Sequence, residues 1–297
     1  MTACYLRLAG AECAFIEANT THALPRLLHA LAAAGRRPED VRYVVITHAH
    51  LDHAGGAAAL MERCPRATLL AHPRTAKHLV DPDKLVGGAL AVYGTERFRT
   101  LYGTVNPIPQ ERVRSLEDGE SFELGSAKLT AWHTYGHAFH HFIVDDPALE
   151  TVFTGDAFGV IYPALQAHGR FALPSTSPTG FDAPLARKSF DKILSLGERL
   201  VRPTHYDAWS DADAIHPMLR RFIDRAEAWV DAAARGVEPI EAMEPRLGAL
   251  WWAAIDEEQP RFSKDERSLL ALDVELNAKG LAHVAAARRE ETRHPQP

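Results

Sequence analysis

Cysteine is scarce in this chain. Its three cysteines, Cys4, Cys13 and Cys64, fit neither a disulfide framework nor the close spacing of a thiolate metal site, which points to a reducing compartment. Long apolar runs are lacking as well; none approaches the ~20 residues needed to span a bilayer. The opening Met1-Thr2-Ala3-Cys4-Tyr5 carries no charged segment followed by an apolar one, so no secretory leader is read there. Nor is there a basic excess. The net charge is −6, and Arg220-Arg221 and Arg288-Arg289 are short pairs on expected helical faces, which argues against a general affinity for nucleic-acid phosphates. Internal repeats and low-complexity segments are missing too. The expectation is a soluble cytoplasmic protein that binds neither membrane nor nucleic acid.

What is present is an ordinary globular composition. A 46% hydrophobic fraction over 297 residues supports a sizeable core, in one large domain or a domain with an appendage. Short strands are expected at 4–8 and 13–17. A helix over 24–34 opens at Pro25 and ends at Gly35. The apolar run 41–46 reads as a buried strand, and 67–71 as the next. Helices follow at 73–80 and, broken, at 82–102. Strand-like pieces recur at 112–116, 121–124, 127–133, 141–144 and 151–154. The stretch 157–180 is a long loop rich in Gly, Pro, Ser and Thr, and such loops are usually functional. After a helix at 183–196 and a strand at 200–202, the chain turns helical from Ser210. Leu219, Phe222, Ile223, Ala226 and Val230 recur at helical spacing, as do Leu269, Leu272, Leu276 and Val284 over 265–289. The tail from Glu290 is expected to fray. Trp251-Trp252 reads as an interface or a core anchor, the core being favoured because Trp is largely buried on average.

The densest chemistry lies in Thr47-His48-Ala49-His50-Leu51-Asp52-His53-Ala54-Gly55-Gly56, directly after the 41–46 strand. Residues two apart on a strand point the same way, so His48 and His50 should leave it on one face. Asp52 and His53 come one step later, where 54–62 begins to read as a helix. Gly55 and Gly56 allow a close backbone approach there. Three imidazoles and a carboxylate in six positions suit a metal. One cluster does not complete a site, because a tetrahedral ion takes three or four protein ligands. His137, Asp156 and His205 each stand where an expected strand leaves its sheet, which is where α/β enzymes place their chemistry. With the cluster they make seven donors, enough for two ions sharing a carboxylate.

These motifs, Thr47 to His53, then Thr134-Tyr135-Gly136-His137, Thr154-Gly155-Asp156 and Thr204-His205, resemble in order and spacing the metallo-β-lactamase fold superfamily of hydrolases. Phe15-Ile16-Glu17-Ala18-Asn19-Thr20 stands at the place of the family's early Asp-Thr-Gly motif, with Glu17 in the acidic position. The resemblance implies an α/β (α+β) fold, a four-layer αββα sandwich over 1–210, with a C-terminal helical extension, 211–297, packed on it. It implies that His48, His50 and His137 bind one metal, that Asp52, His53 and His205 bind a second, and that Asp156 bridges them. Two divalent ions are implied; mixed His/Asp donors suit Zn²⁺, and also Fe or Mn. Diiron flavoproteins of the superfamily generally carry Glu where this chain has His50. Tyr135 stands where Pro is usual, and His140 where glyoxalase II has Gly. Together with Ser177-Pro178-Thr179-Gly180-Phe181-Asp182 and Tyr206-Asp207, these place the chain near a poorly characterised prokaryotic subgroup distinct from glyoxalase II.

The implied activity is hydrolysis of an ester, thioester or lactone-like small molecule by a hydroxide held between the ions. Asp52 orients that hydroxide, and His141 acts behind the ligands or at the leaving group. Tyr162, His168 and Tyr206 are the candidate substrate contacts. The alternatives are a mononuclear iron persulfide dioxygenase on His48, His137 and Asp156, and a phosphodiesterase or nuclease. The helices after Ser210 wall the pocket or form a homodimer contact.

Overall fold

The computed structural model describes residues 2–178 and 180–293. Thr179, in the subgroup-like segment, and 294–297, in the tail expected to fray, lie outside the described residues. Among the described residues ten strands form two sheets: β1 (Tyr5–Ala9), β2 (Glu12–Ile16), β3 (Val41–Ile46), β4 (Thr68–Ala71) and β5 (Val113–Ser115) in the first, and β6 (Ser121–Leu124), β7 (Ala127–His133), β8 (Phe142–Asp146), β9 (Thr151–Gly155) and β10 (Leu200–Pro203) in the second. The strand orders are β1-β2-β3-β4-β5 and β10-β9-β8-β7-β6. In the first sheet only β1 pairs antiparallel, with β2; in the second only β10 pairs parallel, with β9.

Packing divides the chain into two compact units. The first holds both sheets: residues up to His133, then 140–155 and 198–208. Strand β3 shows why its run is apolar throughout. Val44 and Ile46 join a core with Phe15, Leu69, Leu27, Leu31, Leu60 and Met61, the last four from α1 (Leu24–Ala33) and α3 (Ala57–Arg63). Tyr43 and Val45 point the other way, into a core with Phe122, Leu129, Phe142, Val144 and Phe153 of the second sheet. A strand buried on both faces has no polar alternation to show. The short α2 (Leu51–Ala54) precedes α3, and α4 (Pro73–Val80), α5 (Asp83–Tyr93) and α6 (Thr95–Tyr102) complete the unit. The mixed α/β class with two sheets is as expected.

The second unit comprises 134–139, 156–197 and the chain from Trp209. It contains α7 (Ala183–Ser195), α8 (Ala212–Arg235), α9 (Ile240–Glu258), α10 (Lys264–Leu269) and α11 (Ala271–Arg293). The five apolar residues expected on α8 are all buried. Trp251 is fully buried and lies 5.8 Å from Phe222 and 5.2 Å from Trp229, ring to ring, so it anchors the core as expected. The helices expected after Ser210 are present, and α9 lies between the two stretches read from their apolar spacing. One expectation needs correction. Leu269 and Leu272 are exposed; the stripe that α11 buries is Val274, Asn277, Ala278, Leu281 and Ala285. Small residues let α11 pack closely, and they carry too little hydropathy for a pattern of large apolar side chains to reveal. Among the described residues, no helix is long and apolar enough to cross a membrane.

Candidate metal centre

Four segments of the first unit meet at strand ends. Glu17 N donates to Val45 O at 2.8 Å, carrying the register of β2 and β3 past the strands. Phe142 N donates to Thr47 O at 3.0 Å, and Thr204 N to Gly155 O at 3.0 Å. After Thr47 the chain does not wait for residue 54 to become helical. His50 caps α2, and His53 N and Ala54 N donate to His50 O at 3.0 and 2.9 Å. Asp52 and His53 therefore lie on the first helical turn rather than before it. The turn is held down from both sides: Ala18 N donates to His53 O at 3.0 Å and Gly56 N to Asn19 O at 2.8 Å. A Cβ on Gly56 would lie 2.5 Å from Ala18 O and 2.8 Å from Thr20 O, so the expected close approach is real.

His48 is buried and His50 half-buried, and His48 Nε2 lies 3.0 Å from His50 Nδ1, as expected for residues leaving a strand on one face. Asp52 Oδ2 lies 3.5 Å from His53 Nε2 and 3.2 Å from His205 Nε2. One donor atom from each of Asp52, His53 and His205 lies within 4.8 Å of the others, and the same holds for Glu17, His48 and His53. His141 is fully buried, its ring 5.0 Å from that of His48. Gly155 makes room for it: a Cβ there would lie 2.5 Å from His141 Nε2 and 2.7 Å from Thr47 Oγ1. Tyr206, beside His205, is 37% exposed.

Glu17 does more than the sequence reading gave it. It is buried, at φ 70°, where a non-glycine residue is strained. Its Oε1 accepts from Thr47 Oγ1, faces Thr204 Oγ1 at 3.4 Å and lies 3.2 Å from His53 Nδ1. A carboxylate behind the far nitrogen of a histidine fixes the ring and makes the near nitrogen a better ligand. Burial and the Glu17 charge push the Cys4 thiol up, which keeps it a neutral neighbour.

In the second unit His137 and Asp156 are both nearly buried, with His137 Nε2 3.6 Å from Asp156 Oδ2. His137 Nδ1 donates to Ser175 O at 3.1 Å. Ser189 Oγ donates to Tyr135 O at 2.6 Å, tying the His137 loop to α7. The other two expected substrate contacts have protein partners here. Tyr162 Oη lies 3.2 Å from both carboxylate oxygens of Asp273, and His168 Nε2 lies 3.4 Å from Glu266 Oε1.

The donors fit a metal. Ligands at 2.0–2.1 Å in a tetrahedron stand about 3.3 Å apart. The donor separations within each unit, 3.0, 3.2, 3.5 and 3.6 Å, scatter around that value. Among the described residues the buried Glu17 Oε2 has no hydrogen-bond partner, an anionic atom suited to a nearby cation.

Residues 4–205 match the description Metallo-beta-lactamase superfamily. The metallo-beta-lactamase fold-containing protein ST1585 of Sulfurisphaera tokodaii is 28% identical over 211 residues, covering 67% of this chain and 73% of that protein. Its crystal structure aligns at 20% identity with a TM-score of 0.63, over 94% of this chain and 92% of that one. The atrochrysone carboxyl ACP thioesterase of Aspergillus fumigatus is 26% identical over 201 residues, covering 68% of this chain and 49%, about half, of that protein. The metallo-beta-lactamase family protein TTHA1429 of Thermus thermophilus aligns at 22% identity with a TM-score of 0.62, over 97% of this chain and 89% of that one.

Proposed function

Because the chain belongs to the metallo-β-lactamase superfamily, we propose that it is a dinuclear metal-dependent hydrolase of an ester, thioester or lactone-like small molecule. His48, His50 and His137 hold one divalent ion, Asp52, His53 and His205 a second, and Asp156 serves both, with Zn²⁺ the metal. When bound, such ions bring the pKa of water from 15.7 to about 7 and polarise the oxygen of the scissile group. Asp52, whose side chain is 38% exposed, takes the proton side of the attacking water and sets its direction. Glu17 holds His53 by its Nδ1. His141, fully buried beside His48, keeps that ring in place, a positioning role rather than contact with a leaving group. Tyr206, exposed beside His205, is the substrate contact the reading retains.

The observation that carries the two-metal reading is the Asp52, His53 and His205 triad with coordination-like spacing. A mononuclear iron dioxygenase would leave those three donors unused. The thioester preference draws support from the relative named as an ACP thioesterase. The net charge of −6 weighs against nucleic-acid substrates.

The test is a panel of esters, thioesters, lactones and phosphodiesters on zinc-loaded protein, with elemental analysis alongside. About two metals per chain are expected, as a two-metal site requires, with turnover confined to the acyl substrates and abolished in Asp52→Ala and His205→Ala. One iron per chain, with oxygen consumed on glutathione persulfide, would sink the reading.

A further inference from the structure

Helix α11 carries two residues that a helix interior disfavours, Asn277 and Gly280. Both are buried, and both touch the same irregular segment. Asn277 Oδ1 accepts from Thr176 N at 2.7 Å, and its Nδ2 donates to Pro174 O at 2.8 Å. Thr176 Oγ1 donates to the Asn277 carbonyl at 3.2 Å. One turn on, a Cβ at Gly280 would lie 1.7 Å from Thr176 O, so loop and helix meet backbone to backbone. Between the two pinned residues stands Ser175, whose carbonyl accepts from His137 Nδ1 at 3.1 Å. A carbonyl can only accept, so this bond fixes the proton on Nδ1 and turns Nε2 toward Asp156.

We propose that Asn277 is a positioning residue for His137, acting from α11 through the backbone of 174–176 to set the ring's tautomer and direction. The inference rests on His137 being a metal ligand. It gives the C-terminal helices a part in the metal centre that their distance along the chain conceals. The asparagine is chosen because one side chain must accept from an N–H and donate to a C=O two residues apart. Aspartate cannot donate when ionised, and leucine can do neither.

Co²⁺ titration of metal-stripped, full-length protein, followed by visible absorption, tests this without turnover. Asn277→Ala is expected to weaken one of two cobalt sites by about tenfold, the low end for groups behind a ligand, and to leave the other within about twofold. Leu281→Ala, equally buried on the same helix, reports general loosening and should leave both sites within about twofold. His137→Ala should remove the affected site, and the double variant should bind no more weakly than His137→Ala alone, since both changes act on one ligand. If Asn277→Ala does not fold, Asn277→Ser serves, with a selective loss of at least about threefold expected at the same site. Unchanged binding in the Asn277 variant, equal loss at both sites, or the same selective loss in Leu281→Ala overturns the proposal. Intact metal binding in His137→Ala overturns instead the reading of His137 as a ligand, and this inference with it.

Discussion

Glu17 is a buried carboxylate set behind the candidate donor His53. Its Oε1 lies 3.2 Å from His53 Nδ1 and accepts from Thr47 Oγ1. Glu17→Gln keeps the shape and removes the charge. It is expected to weaken zinc at the Asp52, His53 and His205 set by about 10–100-fold, as loss of a carboxylate behind a ligand does, with little change in the fold. Competition against a chromophoric chelator reads this directly, and an unchanged affinity would remove Glu17 from the centre. The histidine cluster itself was legible, because period-two spacing at a strand end needs no tertiary knowledge. The function of Glu17 was not. It depends on a left-handed backbone turn and on partners 30, 36 and 187 residues away. Nothing local to the loop residues Tyr162 and His168 announces the α11 and α10 carboxylates they meet.

At the scale of elements, strands were the most legible feature and packing partners the least. Strands β6 and β7 match their expected limits because turn residues bracket them. The apolar spacing of helix α9 stayed hidden, since its residues Met243, Leu247, Trp251 and Ile255 are broken up by Pro245 and Gly248. Helix caps offer a test with a definite sign. His72 caps α4, its Nδ1 accepting from Arg74 N at 3.1 Å. Burial first, and then His133, push its pKa down from 6.5 to about 4. The folded chain then binds fewer protons than the unfolded chain between these values, so stability falls as pH drops from about 6.5 toward 4. His72→Asn keeps a cap acceptor that does not titrate. Urea midpoints of metal-free protein at pH 7 and pH 4.5 should differ less for this variant than for the parent. Two glycines supply a further contrast. A Cβ on Gly88, inside α5, meets nothing within 4 Å, so Gly88→Ala should stabilise by about 0.4–1 kcal/mol. Gly56→Ala drives a methyl into two backbone carbonyls and should cost about 1–3 kcal/mol. Urea denaturation of both variants decides it; a neutral Gly56→Ala would mean that the turn after α2 yields more easily than its contacts imply.

For the molecule as a whole, metal and stability should be linked, and the linkage can be located. Ions that bind the native chain and not the unfolded one stabilise it by about 2.7 kcal/mol at a free concentration 100 times the dissociation constant, and by about 4.1 kcal/mol at 1,000 times. Thermal unfolding should therefore climb with free Zn²⁺ and fall back when a chelator is added. The chain forms two compact units, and one complete donor triad, Asp52, His53 and His205, belongs entirely to the first. If the units unfold in separable steps, the step of the first unit must respond to zinc even where changes in the second unit, such as Asn277→Ala, weaken the other site. His205→Ala takes a donor from that triad without touching a sheet core, so it should flatten the zinc dependence of that step and leave metal-free stability nearly unchanged. Calorimetry across a zinc series separates the outcomes. A transition that ignores zinc in the parent protein would mean the triad binds no metal. A dependence that survives His205→Ala undiminished would mean that the ion binds through other donors.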